Sequence, residues 1–424
     1  MRGAADISFC GAGPRGSGLI PSREKGRVRA LVRAREGERE ENMIVFLLLV
    51  CLVCLPIAAL SSLKTPLYAA ILALDLLLLL VASAGATKMR LDGGLVWTSV
   101  GLFCYLIICW LLNGGSAAER LVQTAVYLAT LLAFSSYEWT PARVSKVKRL
   151  FAALLFAALV YWFVSGRVTN YYAAFYVHSN AFAVVLICAC ALSLLSMDGP
   201  KPKVSDLCVF AMALVLLLFA NSRSAMLALL VVVALPYLLH AVSKKRSFLA
   251  VARVAFFVVL VAVLAFTVVY PSLIGTQLGY SLEMLSREWL NKNFFSGREV
   301  VWKMILDAVK GHEVFGLGLS MVPSMVYETS FSSHNLYLQT ILQSGAVGLV
   351  FVLLLLWLVL ERLGKEGGWQ ACVGASLLVG VLVHECLEVS LTQNNFDVGL
   401  LFWVVLGISV SASSLRTARG GDGS

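Results

Sequence analysis

Two arginines and a histidine carry most of the chemistry this chain offers outside its apolar runs: Arg223 in NSRSAMLALLV, Arg298 in SGREVVWKMILDAVKGH and His334 in SSHNLYLQ. A guanidinium presents planar paired donors that suit a phosphate or diphosphate, and a neutral imidazole can accept a proton from a hydroxyl. Arg298 falls in the first turn of an expected helix, where unpaired backbone N–H groups and the positive dipole end already favour an anion. A cation there is misplaced unless an anion joins it. The helix dipole at the start of the apolar run after His334 should favour its neutral form. Each residue also has a plainer reading. Arg298 can snorkel to headgroups or pair with Glu299, Arg223 can anchor a helix end at an interface, and His334 can merely tolerate a boundary.

The elements that must position these residues are apolar helices. Of 424 residues, 59% are hydrophobic and 14% charged, with a mean hydropathy of +0.85. These values indicate an all-α polytopic membrane protein with no soluble catalytic domain. About 12 transmembrane helices are expected, at 43–60, 66–84, 94–112, 118–135, 149–165, 178–196, 204–220, 223–241, 248–270, 335–360, 369–389 and 395–413. Together they make one transmembrane domain, 43–413, followed by a short tail, 414–424.

Lys and Arg in short loops orient such a domain, because positive charge is retained on the cytoplasmic side. With the N-terminus inside, the cytoplasmic connections and tail hold Lys88, Arg90, Arg143, Lys146, Lys148, Arg149, Lys201, Lys203, Lys244, Lys245, Arg246, Arg362, Lys365, Arg416 and Arg419. The opposite loops hold Lys64, Arg120, Arg167 and Arg223. Both termini are therefore expected in the cytoplasm, and the one large loop, 271–333, outside. Arg223, Arg298 and His334 then share the extracytoplasmic side, by a count that used no functional argument. The net charge of +10 reflects this bias and a basic N-terminal segment, so nucleic acid is not an expected partner.

Residues 1–42 differ from the rest, being rich in Gly, Arg and Glu. Glu40-Glu41-Asn42-Met43 can be encoded by a ribosome-binding sequence beside a start codon, so Met43 is an expected true start; the alternative is a disordered basic tail meeting anionic headgroups. The first apolar run lacks a convincing cleavage site and reads as a retained helix. Cys51-x-x-Cys54 is a weak redox or metal signal, and buried small hydrophobes are the better reading of these cysteines. No internal repeat is evident, and Asp75 and Arg253 are the clear intramembrane charges away from helix ends, too few for an ion relay.

Within the large loop, Ser296 and Glu299 have capping-box spacing, residues 297–310 have helical composition and Gly311 suits a stop. The expectation is an amphipathic surface helix whose Val301, Ile305 and Ala308, with Trp302 beside them, face membrane or bundle, while Lys303, Asp307 and Lys310 face water. Ser332 and Ser333 can cap the following helix, and Asn335 could orient a substrate. GLGLS, 316–320, lacks a third glycine and reads as a loop over the site rather than a nucleotide motif.

Taken together, NSRSAMLALLV, SGREVVWKMILDAVKGHEVFGLGLS and SSHNLYLQTILQSGAVGLVF, with HSNAFAVVL at 178–186, resemble the bacterial O-antigen ligase and polymerase superfamily. The resemblance implies a glycosyltransferase that takes a glycan from undecaprenyl diphosphate at the outer face of the cytoplasmic membrane. It implies that Arg223 and Arg298 hold the diphosphate and His334 acts at the acceptor hydroxyl, with Asn335, Asn180 and Trp302 as possible support. No cofactor or metal is expected, since the sequence has no D-x-D pair and no His/Cys cluster in the loop. The partners implied are the lipid-linked donor, a glycan or lipid acceptor, and membrane lipids. A single large outer loop tilts the reading toward ligase-type transfer. Polymerisation by the same superfamily and transport of lipid-linked glycans are the alternatives.

Overall fold

The computed structural model describes residues 39–83, 92–243, 247–291, 293–327, 332–392 and 396–420. Residues 1–38, and with them nearly all of the proposed N-terminal extension, lie outside the described residues, as do Lys88, Arg90 and Lys244 to Arg246 of the charge count. Contacts divide the chain into Met1–Met43 and Ile44–Ser424, and the second unit carries every candidate site residue.

Helices dominate this unit. The first, α1, covers 44–54, and a 3-10 turn at Ala58–Leu63 leads into α2 (Lys64–Ser83). Then come α3 (Gly93–Leu112), α4 (Ala118–Ser136), α5 (Pro141–Val164), α6 (Ser179–Leu195), α7 (Val204–Ala220), α8 (Arg223–Ser243) and α9 (Phe248–Ser272). The long loop contributes α10 (Gln277–Leu290), α11 (Arg298–Ala308) and the single turn α12 (Pro323–Val326), before α13 (Leu336–Glu366), α14 (Gly368–Glu385) and α15 (Phe396–Gly420). A helix thus occupies each of the twelve apolar segments read from sequence. Among the described residues, seven helical stretches, those containing α2, α3, α5, α8, α9, α13 and α15, are long and apolar enough to cross a membrane. Helices suit that medium because every backbone polar group is satisfied within the segment.

Three helices, α6, α14 and α15, form the centre, with nearly every residue of α6 and α14 buried. Around them α8 packs on α14, α4 on α15, α7 on α6 and α3 on α13. The intramembrane charges have partners: Arg253 grips Glu361 with two bonds of 2.7 and 2.6 Å, and Asp75 accepts from Thr130 at 2.6 Å.

One helix is broken, and the break places GLGLS. At Gly345 the backbone turns to φ +66°, which opens the ladder of α13. Residues 313–318 fill the gap: Ala346 N–H donates to Glu313 O at 2.7 Å and Leu317 N–H to Leu342 O at 2.8 Å. Tyr105 of α3 donates to the freed Ser344 carbonyl at 2.7 Å. A Cβ on Gly345 would overlap Val314 O, and one on Gly316 would lie 2.6 Å from the Gln343 backbone. GLGLS is therefore stitched into α13 instead of lying over the site, because orphaned backbone groups inside a bundle demand partners.

Candidate functional site

Local sequence sets the start of α11. Gly297, at φ +88°, is the N-cap, and the Glu299 carboxylate reaches back to accept from Ser296 N–H at 3.1 Å and Gly297 N–H at 3.0 Å. The glutamate half of the expected capping box is present, with glycine in the cap position where serine was expected. Glu299 also accepts from Tyr270 at 3.1 Å. The apolar face of α11, Val301, Trp302 and Ile305, is buried against α9 and α13, so it faces the bundle; Lys303, Asp307 and Lys310 are exposed as expected. Lys310, first by its hydrogen bond and then by its charge, holds the Asp307 carboxyl below the usual range.

Trp302 is fully buried, edge-on to Phe266 and Tyr270, and its indole N–H donates to Ser333 O at 2.7 Å. That bond ties α11 to the turn before α13. His334, in this turn, adopts φ +42°, a left-handed conformation uncommon outside glycine.

Asn335, not a serine, caps α13. Its Oδ1 accepts from Leu338 N–H at 2.9 Å, while Nδ2 donates to Thr267 Oγ1 at 3.1 Å and Cys386 O at 3.0 Å. Fully buried and committed to α9, α13 and α14's end, Asn335 cannot orient a substrate as the sequence suggested. Its amide is instead one of the fixings that hold His334 in place.

The residue that gathers the site is one without a signature in the sequence motifs. Glu388, just beyond α14, is 1% exposed and accepts from His334 Nδ1 at 3.1 Å, Arg298 Nη2 at 3.4 Å and Asn180 Nδ2 at 2.6 Å. Burying a carboxylate costs several kcal/mol, which these three donors on three elements offset. Asn180 sits in the first turn of α6, which His178 caps by accepting Ala181 N–H at 3.2 Å. An ionised carboxylate has no proton to give, so the His334 Nδ1–H must donate to it, leaving Nε2 as the acceptor.

Arg223 opens α8 two residues after Asn221, whose left-handed φ of +54° ends α7. Its guanidinium is exposed and donates to Asn293 O at 3.5 Å. Arg223, Ser296, Arg298, Ser332 and His334 line one cavity of about 230 Å³. Arg223, Ser296 and Arg298 also line a larger one, about 680 Å³, with Asn180, Phe294 and Glu388. The fold therefore brings together all three residues first singled out, although 111 positions separate the outermost pair. Among the described residues no three His, Cys, Asp or Glu side chains group as a metal site.

Such an arrangement can hold an anion between two cations while an imidazole receives a proton beside it. The signal that could have revealed Glu388 was the pair of acids in HECLEVS, 384–390, inside a segment read as apolar span.

Residues 208–353 match the family model described as O-antigen ligase, about a third of the chain, holding Arg223, Arg298 and His334 but neither Asn180 nor Glu388. No curated protein matched the sequence. The O-antigen ligase domain supports placement in the O-antigen ligase and polymerase superfamily, whose members are glycosyltransferase-like enzymes. With the apolar helices, the match supports an integral membrane enzyme.

Proposed function

We propose, from an O-antigen ligase domain that contains Arg223, Arg298 and His334, that this protein transfers a glycan from undecaprenyl diphosphate to an acceptor hydroxyl. The reaction takes place at the outer face of the cytoplasmic membrane, on a chain of twelve spans with both termini inside. The observation that carries this reading is the single cavity lined by both arginines and the histidine.

His334 Nε2 takes the proton of the acceptor hydroxyl as that oxygen attacks the anomeric carbon. The bond from the anomeric carbon to the diphosphate oxygen breaks, and its electron pair leaves with the diphosphate. Attack opposite the leaving group inverts the centre. Arg223 and Arg298 hold the charge that develops on the leaving group, which is where preorganised donors accelerate a reaction most. One bond from Arg298 goes to Glu388, and a guanidinium has further donors to turn toward the cavity. Glu388 keeps His334 in the tautomer that can act and stabilises the imidazolium it becomes. Asn180 fixes Glu388 from the other side.

Reconstitution in liposomes with a lipid-linked donor and a panel of acceptors tests the proposal. His334→Ala, Arg298→Ala and Arg223→Ala should each lower transfer by on the order of 10²–10⁴-fold. Full activity in the first two variants would falsify the mechanism, and the acceptor that is used decides between a ligase and a polymerase.

A further inference from the structure

The long loop holds a second amphipathic helix, α10, whose apolar stripe is left largely exposed by the described residues. Leu278, Leu282, Leu285 and Trp289 recur at helical spacing, and Leu278, Leu285 and Trp289 are 59%, 52% and 77% exposed. The side turned to the protein is different: Gly279 and Ser286 are buried there, and a Cβ on Gly279 would overlap Leu273 O. Arg287 and Glu288 lie on the exposed polar flank.

We propose that α10 docks on the lipid surface, with this stripe in the headgroup and acyl boundary, and so forms the lipid-side lip of the arginine cavity. Three observations commit the stripe to lipid. It follows in the chain on the exposed apolar face of α9, a helix long and apolar enough to span, which carries Val261, Val268 and Val269, with the exposed Ile274 just beyond its end. Trp289 adds an amphipathic ring of the kind that favours the interface, and the helix carries Arg287 on its opposite flank. Its place at the end of α9 also puts it where a span leaves the hydrocarbon.

The link to the cavity is direct. Glu283, on α10, accepts from the N–H groups of Phe294 at 2.7 Å and Phe295 at 3.0 Å. Those phenylalanines line the cavity with Ser286 and Asn291. A substrate with a polyprenyl chain can then keep its lipid in the bilayer while its diphosphate passes α10 to reach Arg223 and Arg298. This second half rests on the transfer reaction proposed above; the docking itself does not.

The full chain in phosphatidylethanolamine and phosphatidylglycerol liposomes tests it, with a fluorescent amino acid placed singly at position 285, 289 or 287. Doxyl groups high on the acyl chains should quench the probe at 285 and 289 at least about twofold more than at 287, with aqueous iodide giving the reverse order. Equal iodide quenching at all three positions overturns the proposal, because the stripe is then in water. Protection of 285 and 289 from both quenchers, with energy transfer between differently labelled copies, overturns it in favour of a second copy of the chain. In the transfer assay, Leu285→Glu with Trp289→Glu should raise the KM for a membrane-embedded donor about tenfold while leaving kcat nearly unchanged. A kcat loss with KM unchanged overturns the lip. If the wild type transfers nothing, the proposed reaction fails, yet quenching still decides where α10 lies.

Discussion

Two neighbouring helices of one loop, α10 and α11, have apolar stripes of the same period and opposite fates. α11 buries Val301, Trp302 and Ile305 to within 2% of completely against α9 and α13; α10 leaves Trp289 77% exposed. The stripe alone says that a face needs an apolar partner, not whether that partner is protein or lipid. What separates them is the polar chemistry alongside. α11 carries Arg298 at its tip and an indole N–H that reaches Ser333, so its position is set by partners inside the bundle. The protein-facing side of α10 offers a glycine, a serine and one carboxylate that grips loop backbone.

The sharpest way to break this contrast is at the tip of α11. Glu388→Gln removes the charge that Arg298 and His334 share and replaces one of its two acceptor oxygens with an NH₂ donor, so the imidazole tautomer is no longer fixed by a carboxylate. Transfer should fall by on the order of 10²–10⁴-fold with acceptor KM little altered, read from steady-state kinetics in liposomes. An unchanged kcat would show that α11 is positioned for structure alone.

Next comes the stripe of α11 itself. Trp302→Ala opens a large cavity and cuts the bond to Ser333, and should cost about 3–5 kcal/mol in detergent unfolding measurements. The matching change on α10, Trp289→Ala, should cost less than about 0.5 kcal/mol in the same detergent. Comparable losses for the two would erase the distinction between a helix held by the bundle and one held by its surroundings.

The smallest effect concerns pH. The Phe295 N–H, followed by Arg287 and the Phe294 N–H, favours the ionised form of Glu283 and holds its pKa below the usual glutamate value. A carboxyl with a depressed folded pKa contributes stability above its unfolded value, about 4.3, and loses it as pH falls through the folded value. Amide exchange at Phe294 and Phe295, corrected for intrinsic rates, should therefore stay slow at neutral pH and quicken only in acid below about pH 4. Glu283→Gln should be loosened already at pH 7 and show little further acid response.

Much of this architecture was legible because its signals are local. Apolar runs of helical length located the helices, and the glycines and acids around Arg298 located α11. The types of Arg223, Arg298 and His334, with their resemblance to a known superfamily, singled out three residues that the fold gathers on one cavity. Glu388 escaped because its meaning is tertiary: a glutamate at the end of an apolar run looks like a helix terminus until His334, Arg298 and Asn180 are seen around it. Asn335 failed in the opposite direction. Beside a candidate catalytic histidine it looked free to bind substrate, but helix N-termini need acceptors and buried turns need donors, and those demands consumed its amide. α10 went unnoticed because its 14 residues follow an apolar run without a charged break and have a polar remainder, so they read as loop.

The broken helix α13 has a practical meaning for anyone who wants to tag this protein. Because residues 313–318 complete the ladder of another helix, the chain length between the end of α11 and that break is fixed from both ends. An epitope inserted between Gly311 and Gly318 would have to pull those residues out of α13, so a loop that looks spacious in sequence has almost no spare length there.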